Sequence, residues 1–139
     1  MNILFMCVAN SARSQMAEGL AKSIFGEKAW VESAGSEPKT LNPFALQVMK
    51  EIGIDISKQF SKSYEQLSPK FIVGVDYIVT LCAEEVCPNM AAPKAKRLHW
   101  SFTDPANPSV SADTQLNLFR EIRDGIRTEI EKFSKGIKK

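Results

Sequence analysis

Apolar residues fall along this chain in two patterns, continuous short runs and helical stripes, and the two alternate. NILFMC near the amino end is an unbroken run of strand length, which fits a strand buried on both faces. SQMAEGLAKSIF follows at once, with Met16, Leu20 and Ile24 beside the small Ala17 and Ala21 on one helical face. AWVESAG reads as a second strand ended by Gly35. EPKTLNPFALQVMKEIG reads as a loop and then a helix, with Asn42 as N-cap, Pro43 in the first position and Gly53 as the stop. SKSYEQLSPKFI predicts a short helix broken near Pro69. VDYIVTLC, rich in β-branched residues, is the clearest buried strand and delivers a cysteine at its end. AEEVCPNMAAPKA is a proline-bearing loop, KRLHW a short fourth strand, and SFTDPANPS another loop. From about Asp113, the spacing of Leu116, Phe119, Ile122, Ile126, Ile130 and Phe133 marks one long helix. Its last turns carry lysines, which suit the negative end of the helix dipole, and KGIKK reads as a frayed, solvated tail.

This alternation predicts an α/β fold whose parallel sheet is covered by helices on both faces. In such sheets ligands collect beyond the carboxyl ends of the strands. Cys7, Cys82 and Asp104 each fall just past a predicted strand end, so three strand tips aim reactive groups at one rim.

Composition narrows the class. The 139 residues read as a single domain over 1–139, and 44% apolar with 24% charged residues is ordinary for a globular protein. A net charge of +2 is too mild to argue for nucleic acid or an anionic membrane as partner. No apolar stretch has the length of a bilayer span and MNILFMCVAN lacks the marks of a signal peptide, so a cytoplasmic protein is expected. Three cysteines, an odd number, fit a secreted disulfide framework poorly. In a reducing compartment they are core residues, metal ligands or reagents.

The stretch CVANSARS bears on that choice. Between a strand and a helix, the N–H groups of Val8, Ala9, Asn10, Ser11 and Ala12 can converge on an anion, helped by the unsatisfied N–H groups of the helix start. Arg13 can close over the oxyanion with a paired, charge-assisted fork. Cys7 in that positive field is expected as a thiolate, with Ser14 donating its hydroxyl to the sulfur. Asn10 tolerates the left-handed backbone such a loop needs and can tie the loop together with its amide. The competing reading is a core cysteine and a solvated arginine. The full set of strand end, cysteine, small residues, arginine, serine and helix favours the anion loop.

CVANSARS resembles the C-x5-R-S loop of the low-molecular-weight protein tyrosine phosphatase superfamily. The wider string CVANSARSQMAEG, with SAG, NP, DISK, VTLC, CP, HW and DP in order, is similar to its thioredoxin-coupled arsenate reductase branch. The resemblance covers nearly the whole chain. It implies a four-stranded parallel sheet flanked by helices, with the anion-binding loop after the first strand. Ala9 stands where relatives often carry glycine, and Ala12 where many carry another cysteine, so any disulfide partner of Cys7 comes from outside the loop.

The resemblance implies that this partner is Cys82 and that Cys87 follows. Cys7 attacks arsenate, Cys82 attacks Cys7 as arsenite leaves, and Cys87 then takes over the bond to give a Cys82–Cys87 disulfide that thioredoxin reduces. No bound cofactor is expected. A glutaredoxin or mycothiol route is the alternative for recycling. Against the relay stand an inert Cys82 with a loop cysteine at 87, or a metal site shared with His99, although the spacing is a poor match to known metal motifs. A lone histidine beside Trp100 is more often a packing or hydrogen-bonding residue.

Asp104 precedes Pro105 beyond the fourth strand; the superfamily resemblance makes it the general acid, while its own sequence context suits a turn. Some reductases of this branch bind potassium near the loop, and Asn10, Glu18 and Ser33 match three ligand positions. Lys62 falls at the fourth, where its ammonium can replace the ion, or can simply be solvated; no metal is expected. The leading expectation is therefore an arsenate reductase acting as a monomer. A small phosphatase, and a non-enzymatic thiol sensor of arsenic or redox state, are the alternatives; PANPSVSAD lacks the tyrosines that line the phosphatase cleft.

Overall fold

The computed structural model describes residues 1–82 and 94–137. In chain order these form β1 (Asn2–Cys7), α1 (Arg13–Phe25), β2 (Trp30–Gly35), α2 (Pro43–Glu51), α3 (Pro69–Val73), β3 (Val75–Thr80), β4 (Lys96–His99) and α4 (Ala112–Ile137). Short 3-10 turns cover Gly26–Lys28 and Tyr64–Gln66. The strands make one parallel sheet in the order β2-β1-β3-β4.

β1 lies inside the sheet, and its unbroken apolar run has two jobs. Ile3 and Phe5 enter the larger core with Met16, Leu20, Met49, Ile126 and Ile130. Leu4 and Met6, pointing the other way, enter a smaller core with Leu67, Phe71, Val75 and Ile78. α1, α2 and α4 supply the first core, while α3 and the segment before it supply the second.

α2 begins and ends as its residues dictate. The Asn42 side chain accepts from the Phe44 N–H at 2.8 Å, Pro43 takes the first turn, and Gly53 follows at φ 80. α4 buries Phe119, Ile126 and Ile130 fully, with Leu116, Ile122 and Phe133 partly covered. α2 and α4 are tied by Glu51, which accepts from Arg120 Nη2 at 2.6 Å and from Arg123 Nη1 at 2.9 Å.

Three local expectations need correction. Pro69 does not break a helix; it opens α3, where its missing N–H costs nothing. The turn Tyr64–Gln66 before it is a separate element, closed by a Ser63–Gln66 capping box. The closing KGIKK is not all tail, because α4 runs on through Ile137. α1 is also less amphipathic than its stripe suggests: Arg13, Ser14, Gln15 and Glu18 are buried beside the apolar face, since they serve the loop and its support.

Candidate active site

The segment Val8–Ala12 links the carboxyl end of β1 to the start of α1, and its backbone is folded into a nest. Val8, Ala9 and Ser11 turn their carbonyls outward to accept from the N–H groups of Glu37, Lys39 and Asn42, each at 2.9 Å. Because the peptide is planar and trans, an outward carbonyl sends the following N–H inward. The N–H groups of Ala9, Asn10 and Ala12 therefore face the concave side, the arrangement that binds tetrahedral oxyanions. Gly35 makes room for this turn: a Cβ there would sit 2.4 Å from the Val8 carbonyl oxygen.

Cys7, only 2% exposed, lies at the floor of the nest. Its sulfur is 2.9 Å from Ser14 Oγ and accepts the Asn10 N–H at 3.3 Å. Asn10 sits at φ 48, the left-handed conformation expected of it, and this directs its N–H to the sulfur. The Asn10 side chain sets the polarity of the remaining bond. Its Oδ1 accepts from the Lys62 N–H at 3.0 Å and from Gln15 Nε2 at 3.1 Å, so its Nδ2 must face Ser14, donating at 2.7 Å. With that lone pair engaged, Ser14 has its proton free for Cys7. The surroundings of the sulfur are polar and donor-rich.

Arg13, 4% exposed, opens α1 beside the nest. Its Nη1 donates to the Phe102 carbonyl at 2.9 Å and its Nη2 lies 4.0 Å from Asp104 Oδ2. Asp104 is half exposed and also accepts the Ala106 N–H at 3.0 Å, a turn-forming contact. Cys82 follows β3. The Leu81 N–H donates to the Met6 carbonyl at 2.9 Å, extending the β1–β3 pairing past Thr80 and bringing Cys82 to the same rim as Cys7. Cys82 is 1% exposed and disulfide-bonded, whereas Cys7 is a free thiol. Cys87 lies outside the described residues. His99 is placed at the end of β4 with Nδ1 2.6 Å from Thr80 Oγ1, a hydrogen-bonding role.

The family model for the low-molecular-weight phosphotyrosine protein phosphatases matches residues 2–139. An arsenate reductase of Oceanobacillus iheyensis is 43% identical over 135 residues, 96% of this chain and 94% of that protein. The chain belongs to the low-molecular-weight phosphotyrosine phosphatase family, in its thioredoxin-coupled arsenate reductase branch. The arsenate reductase of Bacillus subtilis is 42% identical over 134 residues, 95% of this chain and 94% of that one. Among solved structures, an arsenate reductase in the reduced state superposes with a TM-score of 0.76 at 31% identity, covering 98% of both chains.

Beside the nest of this arsenate reductase family member lies the cluster matched to potassium ligands. Glu18 is buried and accepts from Ser33 Oγ and from Lys22 Nζ. Lys62 is 5% exposed, with Nζ 3.9 Å from Glu18 Oε1 and 4.9 Å from the Phe60 ring centre. The solvated reading of Lys62 is thus overturned. An ammonium already faces the carboxylate that a metal ion at this position would need. Nearby, burial pushes the Glu32 carboxyl up from its ordinary range, with Lys62 pulling the other way.

The support of the nest had no signal in the sequence. Gln15 donates to the Asn10 carbonyl at 2.9 Å, Gln59 donates to Gln15 Oε1 at 2.8 Å, and Ser61 Oγ donates to the Asn10 carbonyl at 2.7 Å. Residues 59–62 are far from the loop in the chain. They reach it because a bridge pairs Gly35 with Ser63, an isolated contact that leaves no period to read. No helix among the described residues is long and apolar enough to cross a membrane.

Proposed function

We propose that this protein reduces arsenate to arsenite with Cys7, Cys82 and Cys87 acting in sequence, and that thioredoxin restores it. The observation that carries the reading is the Cys7 sulfur held by Ser14 and Asn10 at the floor of an amide nest, with Cys82 at the tip of the adjoining strand.

In the reduced protein, the nest amides from Val8 to Ser14 and the Arg13 fork bind arsenate, and the Cys7 thiolate attacks arsenic. Asp104 gives its proton to the departing oxygen, which leaves as water. Cys82 then attacks the Cys7 sulfur. The sulfur–arsenic bond breaks with its electron pair going to arsenic, so arsenic(V) becomes arsenic(III) as two thiols become one disulfide. Cys87 next attacks Cys82 and expels the Cys7 thiolate, the better leaving group.

Lys62 supports Glu18 in place of a potassium ion. The chain acts as a single domain over 1–139, as a cytoplasmic monomer with no nucleic-acid or membrane partner. One assay tests these steps: arsenate, thioredoxin, thioredoxin reductase and NADPH, following NADPH loss. Arsenate-dependent oxidation is expected, at the same rate in potassium and sodium salts. No oxidation above background, with hydrolysis of an aryl phosphate in its place, would identify a phosphatase; neither activity would leave a thiol sensor. Strong stimulation by potassium would remove the role given to Lys62.

A further inference from the structure

Phe102 reaches several parts of the site at once. Its N–H donates to the Leu81 carbonyl at 3.2 Å, directly before Cys82. Its carbonyl accepts from Arg13 Nη1 at 2.9 Å. It also stands two residues before Asp104, on the same loop. What holds Phe102 itself is its ring, which packs against the larger core and lies over Gly125 in the middle of α4.

Gly125 is out of place on helical grounds. A glycine inside a helix costs about 1 kcal/mol relative to alanine. Close approach explains it: a Cβ at this position would lie 2.8 Å from Phe102 Cε1, and its next nearest contacts, at 3.6 and 3.7 Å, are the same ring. The ring is a rigid plate packed among other core side chains. Displacing its edge therefore pushes on the backbone, and the backbone carries the carbonyl that holds Arg13.

We propose that Gly125 is a positioning residue for oxyanion binding. The gap it leaves in α4 seats the Phe102 ring, which fixes the carbonyl that aims the Arg13 guanidinium. A guanidinium recognises an oxyanion through a planar fork, so its aim matters as much as its charge. This inference rests on the reading that Arg13 and the nest bind the oxyanion.

The test is inorganic phosphate binding, measured by calorimetry on the reduced full chain, with the melting temperature recorded alongside. Gly125→Ala is expected to weaken phosphate binding about tenfold, within the range a small misplacement can cost, in a chain whose melting transition shows it folded at the assay temperature. Phe102→Leu, which loses the ring's anchorage, weakens binding too. With Phe102→Leu already present, adding Gly125→Ala is expected to change binding no further, because the space is now open. That background also decides the matter should Gly125→Ala alone fail to fold. Wild-type affinity in Gly125→Ala, or an unrelieved further loss in the double variant, would overturn the inference while leaving the anion-loop reading intact. An unaltered chain that binds no phosphate would instead sink that reading and this inference together.

Discussion

At Cys7 the polarity of each hydrogen bond is forced by its neighbour. The Lys62 N–H and the Gln15 amide hold Asn10 Oδ1, Asn10 Nδ2 then occupies a Ser14 lone pair, and the Ser14 proton is left for the sulfur. A hydrogen bond to a charged acceptor is worth about 1.5–3 kcal/mol, so Ser14→Ala is expected to slow alkylation of Cys7 by iodoacetamide about tenfold or more at neutral pH. An equal rate at neutral pH would show that Ser14 does nothing for the sulfur. The end members of this chain, Cys7, Asn10 and Ser14, were legible because they share one turn and their chemistry follows from residue type and spacing. Gln15 was not, because a polar residue on the first turn of a helix ordinarily faces water.

At the scale of elements, the α2–α4 contact has its own pH signature. Hydrogen bonds from Arg120, with further help from Arg123, hold the Glu51 carboxyl down to about 2 from an ordinary 4.5. A depressed carboxyl stabilises the fold fully above its ordinary value and loses that contribution as the pH falls towards 2. The native chain should therefore resist urea better than Glu51→Gln at about pH 6, with the gap closing towards about pH 2. A gap that does not change with pH would mean that the ion pairs contribute nothing. Most elements could be read in advance, since β1, β3 and α4 have unmixed periods and α2 carries its own cap, proline and stop. The segment 57–69 resisted, because a 3-10 turn and a five-residue helix are too short to display a period. Its importance is nonetheless large: it brings Gln59, Ser61 and Lys62 under the nest.

Over the whole molecule, the parallel order β2-β1-β3-β4 is what turns separate motifs into one site. β1 and β3 are neighbours, so the residues that follow them, Cys7's nest and Cys82, emerge side by side. β4 returns the chain to the same rim, and the loop after it brings Phe102 and Asp104 to Arg13. A phosphatase of this fold needs only the first sulfur; a reductase needs a second, and the sheet order brings Cys82 to the rim that carries Cys7. The most direct test is to map disulfides by mass spectrometry after a limiting amount of arsenate is added to the reduced protein. The full chain should yield Cys82–Cys87, and Cys87→Ser should stop at Cys7–Cys82 after about one arsenite per molecule, the two-electron stoichiometry of a single disulfide. Arsenite formed by Cys87→Ser with Cys7 in no disulfide, or no disulfide in either protein, would contradict the account.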